Sequence, residues 1–182
     1  LKILGIICGH GNGDPGACNA KYGTEADFVR RLAPIIYRYL SSFASVEILD
    51  SSINWYVYLQ SHYYDFRRFD YVIELHANAG VNDFNGDDSS TGIEIWVTDM
   101  EEAVTVEENI LGSVSRTFDL RNRGVKIRDF LVITEIKRQG VSSCLIENGF
   151  LDDEDDMKII FNHLDDYGKT IALAIAEGFG IA

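Results

Sequence analysis

The sequence predicts a single α/β domain built on a mostly parallel sheet of about six strands. The length of 182 residues suits one domain with a sizeable core. Short β-branched runs alternate with helical patterns, which is typical of strands joined by crossover helices. No repeat, low-complexity tract or Pro/Gly-rich linker divides the chain, so residues 1–182 are treated as one domain.

Six apolar runs are predicted as strands because they are short, rich in branched side chains and bounded by polar or glycine-containing segments. They are Lys2–Cys8, Val46–Leu49, Tyr71–Leu75, Gly92–Val97, Phe130–Thr134 and Ser143–Ile146. The polar, glycine-containing stretch Asn78–Thr91 is predicted as a loop.

The clearest helix is Glu25–Leu40, which carries an apolar stripe and has Thr24 placed to cap its start. Pro34 inside it predicts a kink. The run Asp152–Asp156 is interpreted as the acidic start of another helix. Further helices are predicted at Ile53–Phe66, Glu102–Phe118 and Asp166–Phe179.

The composition excludes several classes of function. With 29 acidic and 16 basic residues the formal net charge is −13, which disfavours binding to nucleic acid or to an anionic membrane surface. No stretch is long enough to span a bilayer, and no signal peptide is visible. The three cysteines have no CxxC spacing, so a disulfide framework is not expected.

Four residues, His10, Glu25, His76 and Glu147, lie where a predicted strand ends or a predicted helix begins. Loops at the carboxyl ends of strands are where α/β folds gather ligands, so we expect these side chains to converge. A catalytic zinc typically takes three protein ligands from imidazoles and carboxylates, and a nearby unligated carboxylate handles protons. The set therefore predicts a zinc hydrolase.

Three alternatives to this set remain open. Gly9–Gly16 is rich in glycine after a strand, but it lacks the Lys-Ser/Thr of a phosphate loop, which disfavours nucleotide binding. A rival zinc set of Cys8, His10 and Cys18 matches none of the usual spacings. Asp14 is a rival ligand, although Asp-Pro-Gly is also a common turn sequence.

Strand alternation places one further carboxylate, Glu74, on the same face as His76. A carboxylate in that position could accept a hydrogen bond from a ligand imidazole. His62 and His163 lie in polar or helical settings and are expected at the surface.

The motifs resemble those of the zinc-dependent N-acetylmuramoyl-L-alanine amidases of the amidase-3 type, which occur in bacterial cell-wall enzymes and phage endolysins. The resemblance runs from about Ile3 to about Phe179, nearly the whole chain. Its segments are, in order, Gly9-His10-Gly11 with Asp14-Pro15-Gly16-Ala17, Glu25 opening a helix, Leu75–Ala79, Asn122–Lys126 and Leu145–Leu151.

This resemblance implies that His10, Glu25 and His76 bind one zinc ion and that Glu147 is the catalytic carboxylate. It also implies a twisted, mixed sheet with helices on both faces. The sequence departs from the family where Ile7-Cys8 precedes Gly9-His10, in place of the frequent Asp-Pro, and where Glu74 replaces a common Ser. The second departure concerns the surroundings of the ligands and not the ligands themselves.

The implied reaction is hydrolysis of the amide between the lactyl group of N-acetylmuramic acid and L-alanine of the peptidoglycan stem peptide. Two alternatives stay open: a zinc peptidase that cuts within stem peptides, and a non-catalytic wall-binding module. We expect a phage endolysin, made in the cytoplasm and acting on the bacterial cell wall. The acidic charge also motivates the hypothesis that this catalytic domain, residues 1–182, relies on a separate C-terminal wall-binding domain beyond Ala182.

Overall fold

Eight strands and six helices make up the chain, and the computed structural model describes all of residues 1–182. The strands are β1 (Ile3–Cys8), β2 (Cys18–Asn19), β3 (Gly23–Thr24), β4 (Ser45–Ile48), β5 (Tyr71–Asn78), β6 (Ile93–Val97), β7 (Asn122–Ile127) and β8 (Ser142–Phe150). The helices are α1 (Glu25–Leu40), α2 (Trp55–Leu59), α3 (Thr105–Phe118), α4 (Leu131–Lys137), α5 (Glu154–Asn162) and α6 (Leu164–Gly178). None of the helices is both long enough and apolar enough to cross a membrane.

Six of the strands form one mixed sheet in the order β4-β1-β5-β8-β6-β7. The pairs β4–β1, β1–β5, β5–β8 and β6–β7 are parallel, whereas β6 runs antiparallel to β8. Strands β2 and β3 form a small antiparallel pair of their own before α1. The predicted α/β class and the mixed, mostly parallel sheet are confirmed.

Helices cover both faces of the sheet, as predicted. The larger apolar core lies on one face, where side chains of α1, α3 and α6 such as Phe28, Ile110 and Ile171 are fully buried. A smaller core on the other face includes Trp55 of α2 and Val132 of α4. Of the candidate site residues, His76 and Glu147 point to this second face, which is the more thinly covered one.

One predicted strand is a helix in the structure, and one strand of the six-stranded sheet was not predicted. Phe130–Thr134 is not a strand: α4 occupies Leu131–Lys137, because Val132 and Ile136 lie one helical turn apart and bury the same stripe in the smaller core. The edge strand β7 was missed because its residues are mostly polar and only partly buried. The predicted number of six strands is therefore right only because these two errors compensate.

Most other elements are confirmed with shifted ends. Helix α1 begins at Glu25 and runs through Pro34 to Leu40, with the hydroxyl of Thr24 accepting from the backbone N–H of Asp27. Predicted helix Ile53–Phe66 shortens to five residues, and α5 follows the acidic run as expected.

The acidic run also has a role that its composition did not indicate. Carboxylates of Asp152, Asp153, Asp155 and Asp156 accept hydrogen bonds from the backbone N–H groups of residues 80, 82, 87, 89, 91 and 92. These residues belong to the long loop between β5 and β6. The acids thus satisfy loop backbone groups that have no ladder partner, and they fix the loop beside the carboxyl end of β5.

Candidate active site

Glu25, the first residue of α1, joins the two histidines of the predicted set. Its Oε2 lies 3.1 Å from Nε2 of His10, and its Oε1 lies 2.9 Å from Nδ1 of His76. The carboxylate also accepts from the backbone N–H groups of Ala17 and Ala77, and its side chain is buried. Burial would raise the pKa of Glu25, but hydrogen bonds from the two histidines outweigh this and lower that pKa well below its usual range.

His10 lies in the loop that follows β1, with a positive φ of 57°. Its Nε2 faces Glu25, while its Nδ1 lies 2.8 Å from Oδ2 of Asp14. Asp14 in turn accepts from the backbone N–H of Gly16 and from the side-chain amide of Asn54, the residue that caps α2. Asp14 therefore contacts the ring nitrogen of His10 that faces away from Glu25, and it does not join Glu25 as a ligand candidate.

His76 lies inside β5, where the strand leaves regular pairing. Its Cα partner across the ladder is Glu147 of β8, and the register shifts between His76 and Asn78 because β8 contains an extra residue there. Nε2 of His76 lies 3.0 Å from Oε1 of Glu74, as strand alternation predicted. The side-chain amide of Asn148 donates to the carbonyl of His76 and ties β8 to this point of β5.

Glu147 stands beside His76 in the sheet and lines the same cleft. Its Oε2 is buried without a hydrogen-bond partner. Burial raises the pKa of Glu147 to about 7, although the charge of His76 opposes the rise. A carboxyl group with such a pKa can both take and return a proton near neutral pH.

Two glycines allow the histidines and Glu25 to come this close. A Cβ on Gly9 would lie 2.3 Å from Cε1 of His76. A Cβ on Gly16, which has a φ of +65°, would lie 2.6 Å from Oε2 of Glu25. The glycine-rich segment is therefore needed for close packing against the site.

Arg30 of α1 holds the loop of His10 in place, and sequence reasoning missed it. Its guanidinium donates to the carbonyl oxygens of Gly9, His10 and Ser51 at 2.8 to 3.0 Å. It also donates to Ala26 of its own helix. No local pattern announces this role, because an arginine on a partly exposed helix position is ordinary in any sequence.

A second missed group surrounds Glu94 of β6, the Cα partner of Glu147 on the side away from His76. The buried Glu94 carboxylate accepts from Arg123 at 2.6 Å and from Lys126, both of β7. It also accepts from the side chain of Asn78. His76, Glu147 and Glu94 thus form one row across the sheet. The resemblance of the segment 122–126 pointed to the two cationic residues beside this row but not to Glu94.

The structure does not bring the rival zinc set together. Cys8 is buried in the larger core and Cys18 is exposed near Gly16, so neither thiol faces His10. His62 and His163 are exposed, as expected.

The donor set that remains fits a zinc ion. His10, Glu25 and His76 each offer a ligand atom, and these atoms all lie within 4.8 Å of one another. Two imidazoles and one carboxylate form a common ligand set for catalytic zinc, which keeps a further position open. A cleft of about 320 Å³ opens onto the histidines and Glu147, with Trp55, Tyr56 and Phe130 among its walls.

Comparison with known proteins places this fold and sequence in a family. Residues 4–180 match the N-acetylmuramoyl-L-alanine amidase family. The sequence is 27% identical over 198 aligned positions to Probable autolysin PH of Staphylococcus aureus (strain NCTC 8325 / PS 47). That alignment covers 96% of this chain and 38% of the relative, so the chain spans well under half the length of the relative it matches.

Solved structures of the same fold include an N-acetylmuramoyl-L-alanine amidase from Clostridium difficile 630. It superposes with a TM-score of 0.73 at 21% identity, covering 98% of this chain and 94% of that one. The catalytic domain of the CD27L endolysin, which targets Clostridia difficile, gives a TM-score of 0.71 at 19% identity, covering 98% and 96%. With nearly all of its length matched, this chain belongs to the N-acetylmuramoyl-L-alanine amidase family.

Proposed function

We propose that the protein is a zinc-dependent peptidoglycan hydrolase that cleaves the amide between the lactyl group of N-acetylmuramic acid and L-alanine of the stem peptide. The observation that carries the proposal is one cleft lined by His10, His76 and Glu147, with the buried Glu25 joining the two histidines beneath it. Family membership supports the choice of bond.

In this proposal His10, Glu25 and His76 hold one zinc ion. Bound there, zinc would supply a Lewis acid that lowers the pKa of a coordinated water and polarises the amide carbonyl. The chemistry of the three donors supports this ion, since hard cations such as Mg²⁺ and Ca²⁺ take oxygen ligands and not two imidazoles.

Glu147 would move the protons. Its carboxylate, with Oε2 unpaired and a raised pKa, takes a proton from the attacking water as the water adds to the amide carbonyl carbon. The same group then returns that proton to the departing nitrogen of L-alanine. The ladder neighbour His76 keeps Glu147 at a fixed offset from the metal ligands, because both lie on paired strands.

Product analysis tests this proposal. Purified peptidoglycan would be digested with and without a zinc chelator, and new amino termini and reducing sugars would be identified. We expect chelator-sensitive release of N-terminal L-alanine without new reducing ends. New termini at other residues would instead indicate a peptidase that cuts within the stem, and zinc binding without any cleavage would indicate a wall-binding module.

A variant of Glu147 tests its assigned role. Glu147→Gln keeps the shape but cannot take a proton, so turnover should fall by roughly 10²- to 10⁴-fold while zinc stays bound. Glu102→Gln, at an exposed position outside the cleft, is the matched control and should keep full activity. An active Glu147→Gln protein would refute the role.

Two finer parts of the function are also proposals. Because the chain carries a net charge of −13, we propose that it relies on a separate wall-binding module to approach anionic cell walls. Equal wall affinity of this chain alone and of the same chain linked to a wall-binding module would contradict this. We further propose an endolysin role, for which expression inside a bacterium should cause lysis only together with a pore-forming membrane protein.

A further inference from the structure

Glu74 of β5 is buried in an arrangement that folding alone does not favour. Its side chain lines the cleft, yet Oε2 is shielded from solvent and has no hydrogen-bond partner. Only Oε1 is used, at 3.0 Å from Nε2 of His76. A buried carboxylate oxygen without a partner destabilises a fold, so the reason for this residue lies in what Oε1 does.

The ring of His76 is held between two carboxylates, one for each nitrogen. Nδ1 faces Oε1 of Glu25, whose other oxygen faces Nε2 of His10. Nε2 of His76 faces away from this cluster, towards Glu74. The two ring nitrogens therefore have separate tasks: Nδ1 belongs to the group of candidate ligands, and Nε2 does not.

A neutral imidazole can lend Nδ1 to a metal only when its single ring proton is on Nε2. A carboxylate placed at Nε2 favours that tautomer, because a charge-assisted hydrogen bond forms only when Nε2 carries the proton. We propose that Glu74 is a positioning residue: it keeps the ring proton of His76 on Nε2, fixes the orientation of the ring and so presents Nδ1 to the metal. The inference rests on the metal site of the proposed function, but not on the identity of the bond that is cleaved.

A positioning role and a structural role predict different stabilities. If Glu74 served the fold, its replacement would lower the free energy of unfolding of the metal-free protein. If it serves the metal, replacement should weaken zinc binding far more than it lowers that free energy, because relief of an unpaired buried oxygen offsets the lost pairing with His76.

Two variants and one control separate these roles. Glu74→Ser is too short to reach the ring, whereas Glu74→Gln keeps the volume and a weaker acceptor. Glu107→Gln is the matched control, because Glu107 is equally buried and hydrogen-bonded to Tyr71, on α3 and away from the cleft. Zinc affinity would be measured by competition with a chromogenic chelator. The free energy of unfolding would be measured by urea denaturation of the metal-free protein, and the His76 tautomer would be determined by long-range ¹H–¹⁵N NMR.

We expect Glu74→Ser to lower zinc affinity by roughly 10- to 100-fold, Glu74→Gln to lower it less, and the control to remain within about twofold of the unaltered protein. In the zinc-loaded unaltered protein, NMR should show a proton on Nε2 and metal on Nδ1 of His76, and Glu74→Ser should lose this single pattern. Unchanged affinity and tautomer in both Glu74 variants, or metal on Nε2, would overturn the role of Glu74 alone. An unaltered protein that binds no zinc would overturn the metal site itself.

Discussion

The two histidines of the site have the same chemical partners in opposite surroundings. Each imidazole faces Glu25 with one nitrogen and a second carboxylate with the other. Behind His10 that carboxylate is Asp14, on a loop and with 47% of its side chain exposed, whereas behind His76 it is Glu74, on a central strand and 5% exposed. We call residues 9–16 the loop half of the site and residues 74–76 the strand half.

The difference in exposure means that solvent weakens one of these two ion pairs much more than the other. Solvent screens an exposed ion pair and leaves it worth little, but it does not reach a buried one. The strand half is fixed by the ladder of β5 and β8, so its carboxylate can act with little loss to solvent. The loop half depends instead on close packing at glycine residues and on the hydrogen bonds that Arg30 donates to backbone carbonyls of the loop.

The largest expected effect comes where the two halves touch. In Gly9→Ala the new methyl group would lie 2.3 Å from the ring of His76. The loop half and the strand half could then not both keep their positions. Zinc affinity should fall by roughly 100-fold, about 2.7 kcal/mol, in chelator competition. Gly13→Ala is the control: with a φ of +92° it strains the loop, but nothing lies within 4 Å. Equal losses in both variants would mean that loop strain, and not the contact with His76, matters.

The comparison is sharpened by paired changes of the two carboxylates. Asp14→Asn should lower zinc affinity only about threefold, because the partner of His10 is exposed and its charge is screened. Glu74→Gln should lower it more, because the partner of His76 is buried. Isothermal titration of both variants under the same buffer would measure the difference. A larger loss in Asp14→Asn than in Glu74→Gln would contradict the expectation that the buried carboxylate of the strand half has the greater effect.

Removing the guanidinium of Arg30 should disturb the loop half alone. Arg30→Met leaves the carbonyls of Gly9, His10 and Ser51 without a charged donor and should lower the free energy of unfolding by about 1.5 kcal/mol. Amide hydrogen exchange should speed up in residues 9–14 and stay unchanged in β5. Arg116→Met, at an exposed position on α3, is the control. Faster exchange throughout β5 would show that the halves are not separable.

The smallest effect is a dependence on pH in metal-free protein. Burial lowers the pKa of His76, but Glu74 and Glu25 outweigh it and hold that pKa well above 6.5. The resulting stability is complete below pH 6.5 and is lost as pH rises through the folded pKa. Glu25, with its pKa lowered from 4.5, contributes stability above that pH and loses it under acid.

Thermal unfolding in the presence of a chelator would measure this dependence. The melting temperature should fall as pH rises above 6.5, whereas protein loaded with zinc should not show the fall, because the metal replaces the proton. Glu25→Gln should flatten the dependence in metal-free protein. A melting temperature that rises with pH in metal-free protein would contradict the arrangement of charges around His76.

Much of the site could be predicted because its residues mark the ends of elements. Glu25 begins an amphipathic helix, His10 and His76 follow apolar runs, and alternation along β5 alone places Glu74 beside His76. Sequence patterns of this kind report local geometry, and parallel strands then bring their carboxyl ends together. The roles of His10, Glu25, His76 and Glu147 in binding and catalysis stay predictions.

The remainder depends on contacts between distant segments, which no local pattern encodes. Arg30 acts on the loop of His10 through backbone carbonyls, and those could belong to any sequence. Glu94 meets Arg123 only because β6 and β7 pair in parallel. The prediction of a strand at Phe130–Thr134 was wrong because the local pattern was ambiguous: a short apolar run fits a buried helix turn as well as a strand.

The position of β8 has a consequence for the order in which the site is synthesised. In the sheet β8 lies between β5 and β6, although it is the last of the six sheet strands in chain order. Strands β6 and β7 therefore have no place in the sheet until β8 is synthesised, and Glu147 arrives with it. His10, Glu25 and His76 all precede β6, so a growing chain holds the proposed metal ligands well before it holds the proposed catalytic carboxylate. An unfinished chain therefore lacks one of the four proposed site residues.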